Sequence, residues 1–359
     1  MTQRYNGSFI GVDKITDRDN RTDDDGIYDL RSQYTYKQAE QWTTATVEIP
    51  YATNYGYVSG GFNSPTASTY IQKFSFVASD GTTNSTNVGF LSTPRSRATG
   101  HSSSIAGYTA GGQNPQMNPS AFGNLSTIEK FVFSNDSTTT SRGSLYDGRI
   151  NAAGTSSSSY GFQAGGYRVF PSSPFNRETG NVSKFSFSSD AEASTLHTSN
   201  AMNISVLAGH QDSDFSYASG GFNYSNSTRY SLISKFPFAV EDTTRIITGN
   251  LTQAKNAHVG VSSPTEGYVV GGYNGSVILN VIEKFPFASD SNSTDIGDLA
   301  ELITGSTAIS AADAGYAFSA SGPPTSRGSI NKFPFASGIG ELFATRALYS
   351  VSYGSGHQY

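Results

Sequence analysis

Two short motifs alternate along the chain, and few architectures accommodate them. Lys-Phe-x-Phe begins at Lys73, Lys130, Lys184, Lys235, Lys284 and Lys332. Ahead of each copy stands a segment in which an aromatic residue precedes a glycine pair, as in Gly56-Tyr57-Val58-Ser59-Gly60-Gly61, with equivalents ending at Gly111-Gly112, Gly165-Gly166, Gly220-Gly221 and Gly271-Gly272. The sixth copy, Gly315-Tyr316-Ala317-Phe318, lacks the pair. Successive Lys-Phe-x-Phe motifs are separated by steps that shorten from ~57 to ~48 residues. A period of this size marks a repeat fold whose units bury their apolar faces against one another.

Each unit divides into four short strands. The first precedes the glycine motif (100–105, 153–157, 257–263) and the glycine motif forms the second. The alternating Ile/Val-x-Lys-Phe-x-Phe is the third, and the fourth runs through Gly89-Phe90-Leu91, Gly143-Ser144-Leu145 or Asn250-Leu251. Ser, Asp, Asn and Gly clusters such as Ser79-Asp80-Gly81 punctuate them, as expected of short antiparallel strands. Four strands every ~50 residues predict a β-propeller blade. The chain is therefore expected to be all-β, with a six-bladed propeller over residues 46–359 and a separate segment over 1–45. The two Phe of each motif lie two residues apart and share one sheet face, which predicts twelve rings between the blades with the Lys pointing away. Glu341–Arg346 and the residues that follow repeat a fourth and a first strand with no blade left to join. They are expected to return to Gly56–Gly61 and close the ring.

Composition narrows the function. The absence of Cys removes disulfides, thiolate metal sites and cysteine nucleophiles. A net charge of -5 gives no general footprint for nucleic acid. No stretch has the roughly 18 apolar residues of a membrane span, and the opening residues contain no apolar run of the secretory kind. The five histidines stand at no short metal-ligand spacing, although His101 and His210 each lie seven residues before a motif tyrosine and so occupy one repeat position. They are expected to be structural. Asp147, Asp214 and Asp313 read as turn residues, and the Asp17–Asp25 stretch as a solvated acidic linker without the glutamate of a calcium loop. No cofactor or metal is expected.

The unit Arg97-x-x-Gly100-His101, then Gly107-Tyr108-x-x-Gly111-Gly112 and Ile128-x-Lys130-Phe131, resembles a kelch repeat, without the tryptophan usual after the third strand. The Lys-Phe-Pro-Phe-Ala form at Lys235, Lys284 and Lys332 resembles repeats of virion proteins of tailed phages, particularly those of cyanobacteria. The opening, Met1 to Val12 followed by Gly26-Ile27-Tyr28-Asp29-Leu30-Arg31-Ser32-Gln33 and Trp42, is similar to short leaders of phage tail-fibre and tail-associated proteins. The resemblances imply a non-enzymatic virion protein, assembled in the host cytoplasm, that contacts other tail proteins, further copies of itself or host-surface polysaccharide. Galactose-oxidase-like chemistry on such a propeller needs a Cys–Tyr cross-link, which this chain cannot make. A glycan depolymerase and a bacterial kelch-like lectin are the alternatives. With Asp25 as an N-cap, Ile27, Leu30, Tyr34 and Trp42 fall on one side of a helix of ~16 residues, expected to dock on a partner.

Strand parity assigns the faces. The loops after the second strands and those from the fourth strands to the next blade emerge together. One face therefore collects Asn63, Asn114, Tyr167, Arg168, Phe170, Tyr224 and Tyr273 with Arg95, Arg97, Arg149 and Arg346. The other collects Asp80, Asp136, Asp190, Asp242 and Asp290. Aromatic, amide and guanidinium groups suit a sugar, so Arg95, Arg97, Arg149, Tyr167, Arg168, Tyr224, Tyr273 and Arg346 are the expected ligand residues, unless the arginines only satisfy turn carbonyls.

Overall fold

The structure is a computed structural model. It describes residues 8–10, 27–29, 54–63, 66–76, 85–116, 123–168, 177–189, 193–197, 203–239, 245–319, 328–347 and 352–358. The chain falls into two units, Met1–Glu48 and Ile49–Tyr359. In the first, Ser8–Ile10 pairs antiparallel with Ile27–Asp29, Ile10 opposite Ile27. The expected helix therefore does not begin at Ile27. The β-branched and aromatic Ile-Tyr pair is a strand former, and Ser-Phe-Ile supplies its partner. Leu30, Tyr34 and Trp42 lie outside the described residues.

The second unit is a six-bladed β-propeller built from six four-stranded antiparallel sheets. No helix occurs among the described residues. Blade two shows the pattern, from the axis outward: Thr99–Ser102, Ala106–Ala110, Thr127–Val132 and Thr140–Ser144. The second phenylalanine of each Lys-Phe-x-Phe lies against the motif aromatic of the preceding blade. The pairs Phe133–Tyr57, Phe187–Tyr108, Phe238–Phe162, Phe287–Tyr217, Phe335–Tyr268 and Phe76–Tyr316 have centroids 4.5–4.9 Å apart. Ring contacts of this geometry add about 0.5–1.5 kcal/mol each beyond the area they bury, so the same device is applied at all six seams. The lysines point the other way. Lys73 lies 4.4 Å over Tyr55 and reaches Asp136 of the next blade at 2.9 Å, and Lys235 reaches Asp290 at 2.7 Å.

The ring closes through the C-terminal strand. Ser355–Gln358 pairs with Tyr55–Ser59 and completes blade one, with Gly356 opposite Val58 and His357 opposite Tyr57. The closing strand falls after Tyr353 rather than before it.

Backbone bonds complete the closure at one mouth of the axis. Arg97, Asn151, Val206, Ala257, Gly305 and Tyr353, one ahead of each innermost strand, all have φ between 53° and 59°. Each donates its N–H to the carbonyl of the equivalent residue in the preceding blade, at 2.7–3.3 Å, in an unbroken circle from Arg97 N–H to Tyr353 O and round to Tyr353 N–H on Gly305 O. Five of these residues are not glycine, so the left-handed conformation carries a cost that the closed circle of bonds offsets. At the other mouth the bonds run in the opposite sense. The amides of Ser102, Gln211 and Ser262 donate to the hydroxyls of Ser156, Ser262 and Ser310, each at 3.0 Å, and Ser156 N–H donates to Gln211 Oε1 at 2.6 Å.

Between the two belts lies a channel of about 210 Å³. Its walls are so close that a Cβ on Gly100 would sit 2.1 Å from Gly356 O, and one on Gly260 would sit 2.2 Å from Gly209 O. Only glycine lets neighbouring backbones approach this far.

Candidate functional site: the tyrosine and arginine mouth

The loops that converge on the Arg97 circle form the mouth named by strand parity. Its residues divide into a buried group that holds the blades and a less buried group that faces outward.

Arg95 and Arg149 belong to the buried group, with both side chains 0% exposed. Arg95 is ion-paired to Glu129 and donates to the carbonyls of Gly111 at 3.0 Å and Thr127 at 3.1 Å. Arg149 repeats this on Gly165 O at 3.2 Å and Asn181 O at 2.9 Å, and meets Asp147 at 2.6 Å. Left-handed Gly111 and Gly165 turn their own carbonyls toward the guanidiniums, which also share the Thr127 and Asn181 carbonyls with the Gly111 and Gly165 amides. Both residues leave the set of expected ligand contacts.

Lys255 is a third member that sequence reading did not single out. It stands two residues before Ala257 as Arg95 stands before Arg97, and it meets Glu283 at 2.7 Å with both side chains 0% exposed. Burial disfavours charge on Glu283. The Lys255 ammonium, the Ser293 hydroxyl and the Thr252 amide more than offset this and hold its carboxyl below the usual range. The repeats match charge to charge. Blades with a basic residue here carry Glu129 or Glu283 before Lys-Phe, or borrow Asp147 where that place is Ser183. Blades with Ile204, Ile303 or Val351 carry Ser234, Asn331 or Gln72.

Four buried histidines line the same walls. Nδ1 of His101, His210 and His357 faces the carbonyl of Thr155 (2.9 Å), Val261 (3.3 Å) and His101 (3.1 Å) in the next blade. Nδ1 therefore carries the proton and Nε2 accepts from Thr99, Ser219 and Ser59 hydroxyls at 2.9, 2.9 and 2.8 Å. Burial pulls His101 and His210 down to about 4 and His357 to about 3, against an ordinary 6.5, with the carbonyl bonds opposing. Burial likewise holds His258 well below 6.5. The unfolded chain therefore takes up protons first as pH falls, and stability present above pH 6.5 is lost from there down to about 4. At pH 5.5 His101, His210 and His357 are each expected to cost about 1.4 kcal/mol, on the order of 4 kcal/mol for the three, with His258 acting in the same direction. Urea midpoints at pH 7.5 and 5.5 measure this, and equal midpoints would refute it.

The second group is half-buried apart from Tyr224, which is exposed. Arg97 lies 5.0 Å over the Tyr353 ring. Tyr224 is 50% exposed at the tip of the hairpin formed by Phe222–Asn223 and Thr228–Arg229. Burial raises its phenol above the ordinary value. The Arg97 charge opposes the shift, and Tyr353, Tyr167 and Glu178 add to it. Its ring meets Tyr167 at 5.3 Å and Phe222 at 4.8 Å. Arg229 lies over Phe222 at 5.0 Å and Tyr273 at 4.8 Å. The buried Glu178 carboxylate joins two neighbouring hairpins by accepting from the Tyr224 amide and, at 3.0 Å, from Ser225 Oγ. The half-buried Arg168 is ion-paired to Asp147. Arg346 is placed in its strand opposite Ser329, and its side chain lies outside the described set, as does Phe170. The structure thus brings Arg97, Tyr167, Tyr224 and Tyr273 into one surface and adds Phe222, Arg229 and Tyr353. Aromatic and basic residues in the loop after Gly220-Gly221 were the available signal for Phe222 and Arg229, and Tyr353 stands instead in the loop ahead of the closing strand.

Among the described residues no group of three or more His, Asp or Glu could hold a metal ion, and no helix is long and apolar enough to cross a membrane. No family model matches the chain, and no curated protein matches it.

Proposed function

We propose that this chain is a kelch-like virion protein of a tailed phage, a tail-fibre or tail-associated component whose propeller holds a host-surface saccharide at the tyrosine and arginine mouth without cleaving it. The observation that carries the binding reading is the run of contacts from Tyr167 through Tyr224 and Phe222 to Arg229 and Tyr273, together with Arg97 over Tyr353 at the same mouth. Sugar rings stack on aromatic faces while their hydroxyls accept from guanidiniums and amides. The virion reading rests on the Lys-Phe-Pro-Phe-Ala repeats and the leader, with residues 1–45 attaching to other tail proteins or to further copies.

Affinity electrophoresis through gels containing host-surface polysaccharide tests the binding reading. The full chain is expected to be retarded, and Tyr224→Ala to lose about tenfold in apparent affinity with an unchanged melting curve. Equal retardation of the variant would move the site away from this mouth. Immunogold labelling of purified particles is expected to mark the tail, and unlabelled particles would overturn the virion reading.

A further inference from the structure

On the acidic face three of the motif lysines meet carboxylates: Lys73 with Asp136, Lys235 with Asp290, and Lys284 with Glu266 at 2.7 Å. At the mouth the described carboxylates are all engaged. Glu129 holds Arg95, Glu283 holds Lys255, Asp147 serves both Arg149 and Arg168, Glu178 is held by the Tyr224 amide and the Ser225 hydroxyl, and Glu301 by the Ser329 hydroxyl and the Asn331 amide group. Two guanidiniums remain among the described side chains of the mouth. Among the described residues neither Arg97 nor Arg229 meets a carboxylate within ion-pairing distance. Arg97 reaches only Gln113 Oε1, at 3.5 Å, and Arg229 donates from Nε to Asn256 Oδ1 at 2.9 Å. Both lie over aromatic rings, Arg97 over Tyr353 and Arg229 over Phe222 and Tyr273.

A guanidinium is a planar fork of N–H groups, and one seated beside aromatic rings without a carboxylate partner has that fork available for a carboxylate, sulfate or phosphate. Two such groups in a chain of net charge -5 are a local excess of positive charge set among sugar-stacking rings. We propose that the mouth takes an anionic saccharide, with Arg97 and Arg229 holding its acidic substituents and Tyr224, Tyr273 and Tyr353 its rings. This rests on the saccharide-binding reading above and names the class of ligand.

The test is affinity electrophoresis of the full chain against four probes: polygalacturonate for carboxylate, dextran sulfate for sulfate, a glycerol-phosphate teichoic acid for phosphate, and neutral dextran. At least one polyanion is expected to retard the protein about tenfold more strongly than dextran, and the strongest identifies the acidic group. Arg97→Gln and Arg229→Gln are each expected to lose about tenfold for that probe. Arg229→Lys is expected to lose nearly as much, because an ammonium keeps the charge but not the planar fork. Arg97 lies on a half-exposed loop, so its variant decides the outcome if Arg229→Gln fails to fold. Retardation by dextran equal to that by every polyanion would overturn the anionic assignment while leaving saccharide binding intact. Retardation by none of the four would overturn both. Wild-type behaviour of Arg229→Lys would show that bulk charge alone acts and that no built site exists.

Discussion

Removal of residues 355–359 is expected to abolish the cooperative thermal transition of the propeller. The deletion takes the innermost strand of blade one, and with it the ladder to Tyr55–Ser59. It also removes the His357 bonds to Ser59 Oγ at 2.8 Å and His101 O at 3.1 Å, and the edge contact of His357 with Phe131 at 5.0 Å. An antiparallel strand lost from the end of a linear sheet leaves one new edge. Here the loss opens a ring, because Gly356 is the wall segment between Ala308 and Gly100. The circle of bonds through Tyr353 then has no strand behind it. A domain is stable by about 5–15 kcal/mol in total, and the missing strand contributes to both adjoining seams as well as to its own sheet. Circular dichroism melts of the truncated and full chains measure the effect. A sigmoidal transition within about 5 °C of the full chain would show that the blades hold without closure.

The second large effect is expected at the buried pair of blade five. Lys255→Ile leaves Glu283 charged, fully buried and without its cation, at a cost of about 3–5 kcal/mol near neutral pH. The double variant Lys255→Ile with Glu283→Ser installs the residues that blade four already carries as Ile204 and Ser234, and is expected to recover most of the loss. The pH dependence has a definite sign. Lys255 holds the Glu283 carboxyl below the usual range, so the pair contributes above the ordinary carboxylate value and is lost as pH falls through the folded one. In the single variant the orphaned carboxyl is expected to protonate instead, so its penalty shrinks on acidification toward pH 5. Denaturant midpoints at pH 7.5 and 5.5 report the cost, the recovery and the shrinking penalty, and a further series below pH 4.5 reports loss of the pair itself. A single variant within about 1 kcal/mol of wild type, or a double variant no better than the single, would show that the pair is not what holds the blade.

Blade number, strand order and the Phe seams were legible because they depend on periodicity and alternation, which are local properties of the chain. The face that carries Tyr167, Tyr224 and Tyr273 was legible too, since parity of strands and loops places it without any distance. The roles of the arginines were not. Arg95 and Arg97 stand two residues apart in one loop, yet one lies sealed on Glu129 and the other lies open on Tyr353. Which is which depends on a partner 34 residues downstream for Arg95 and on a residue from the other end of the chain for Arg97.

The closing strand shows the same division. Gly100-His101, Gly209-His210 and Gly356-His357 repeat a dipeptide that marks the innermost strand, so its position was present in the sequence. The need for glycine there arises only when six strands meet at one axis within 2.1–2.3 Å of a would-be Cβ. The amino-acid sequence by itself determined six units of four strands and the two Phe that join each unit to the last, because each follows from spacing along the chain. The tertiary structure alone decided which cations are sealed and which face outward, because burial and pairing are set by residues that the ring brings together from distant parts of the sequence.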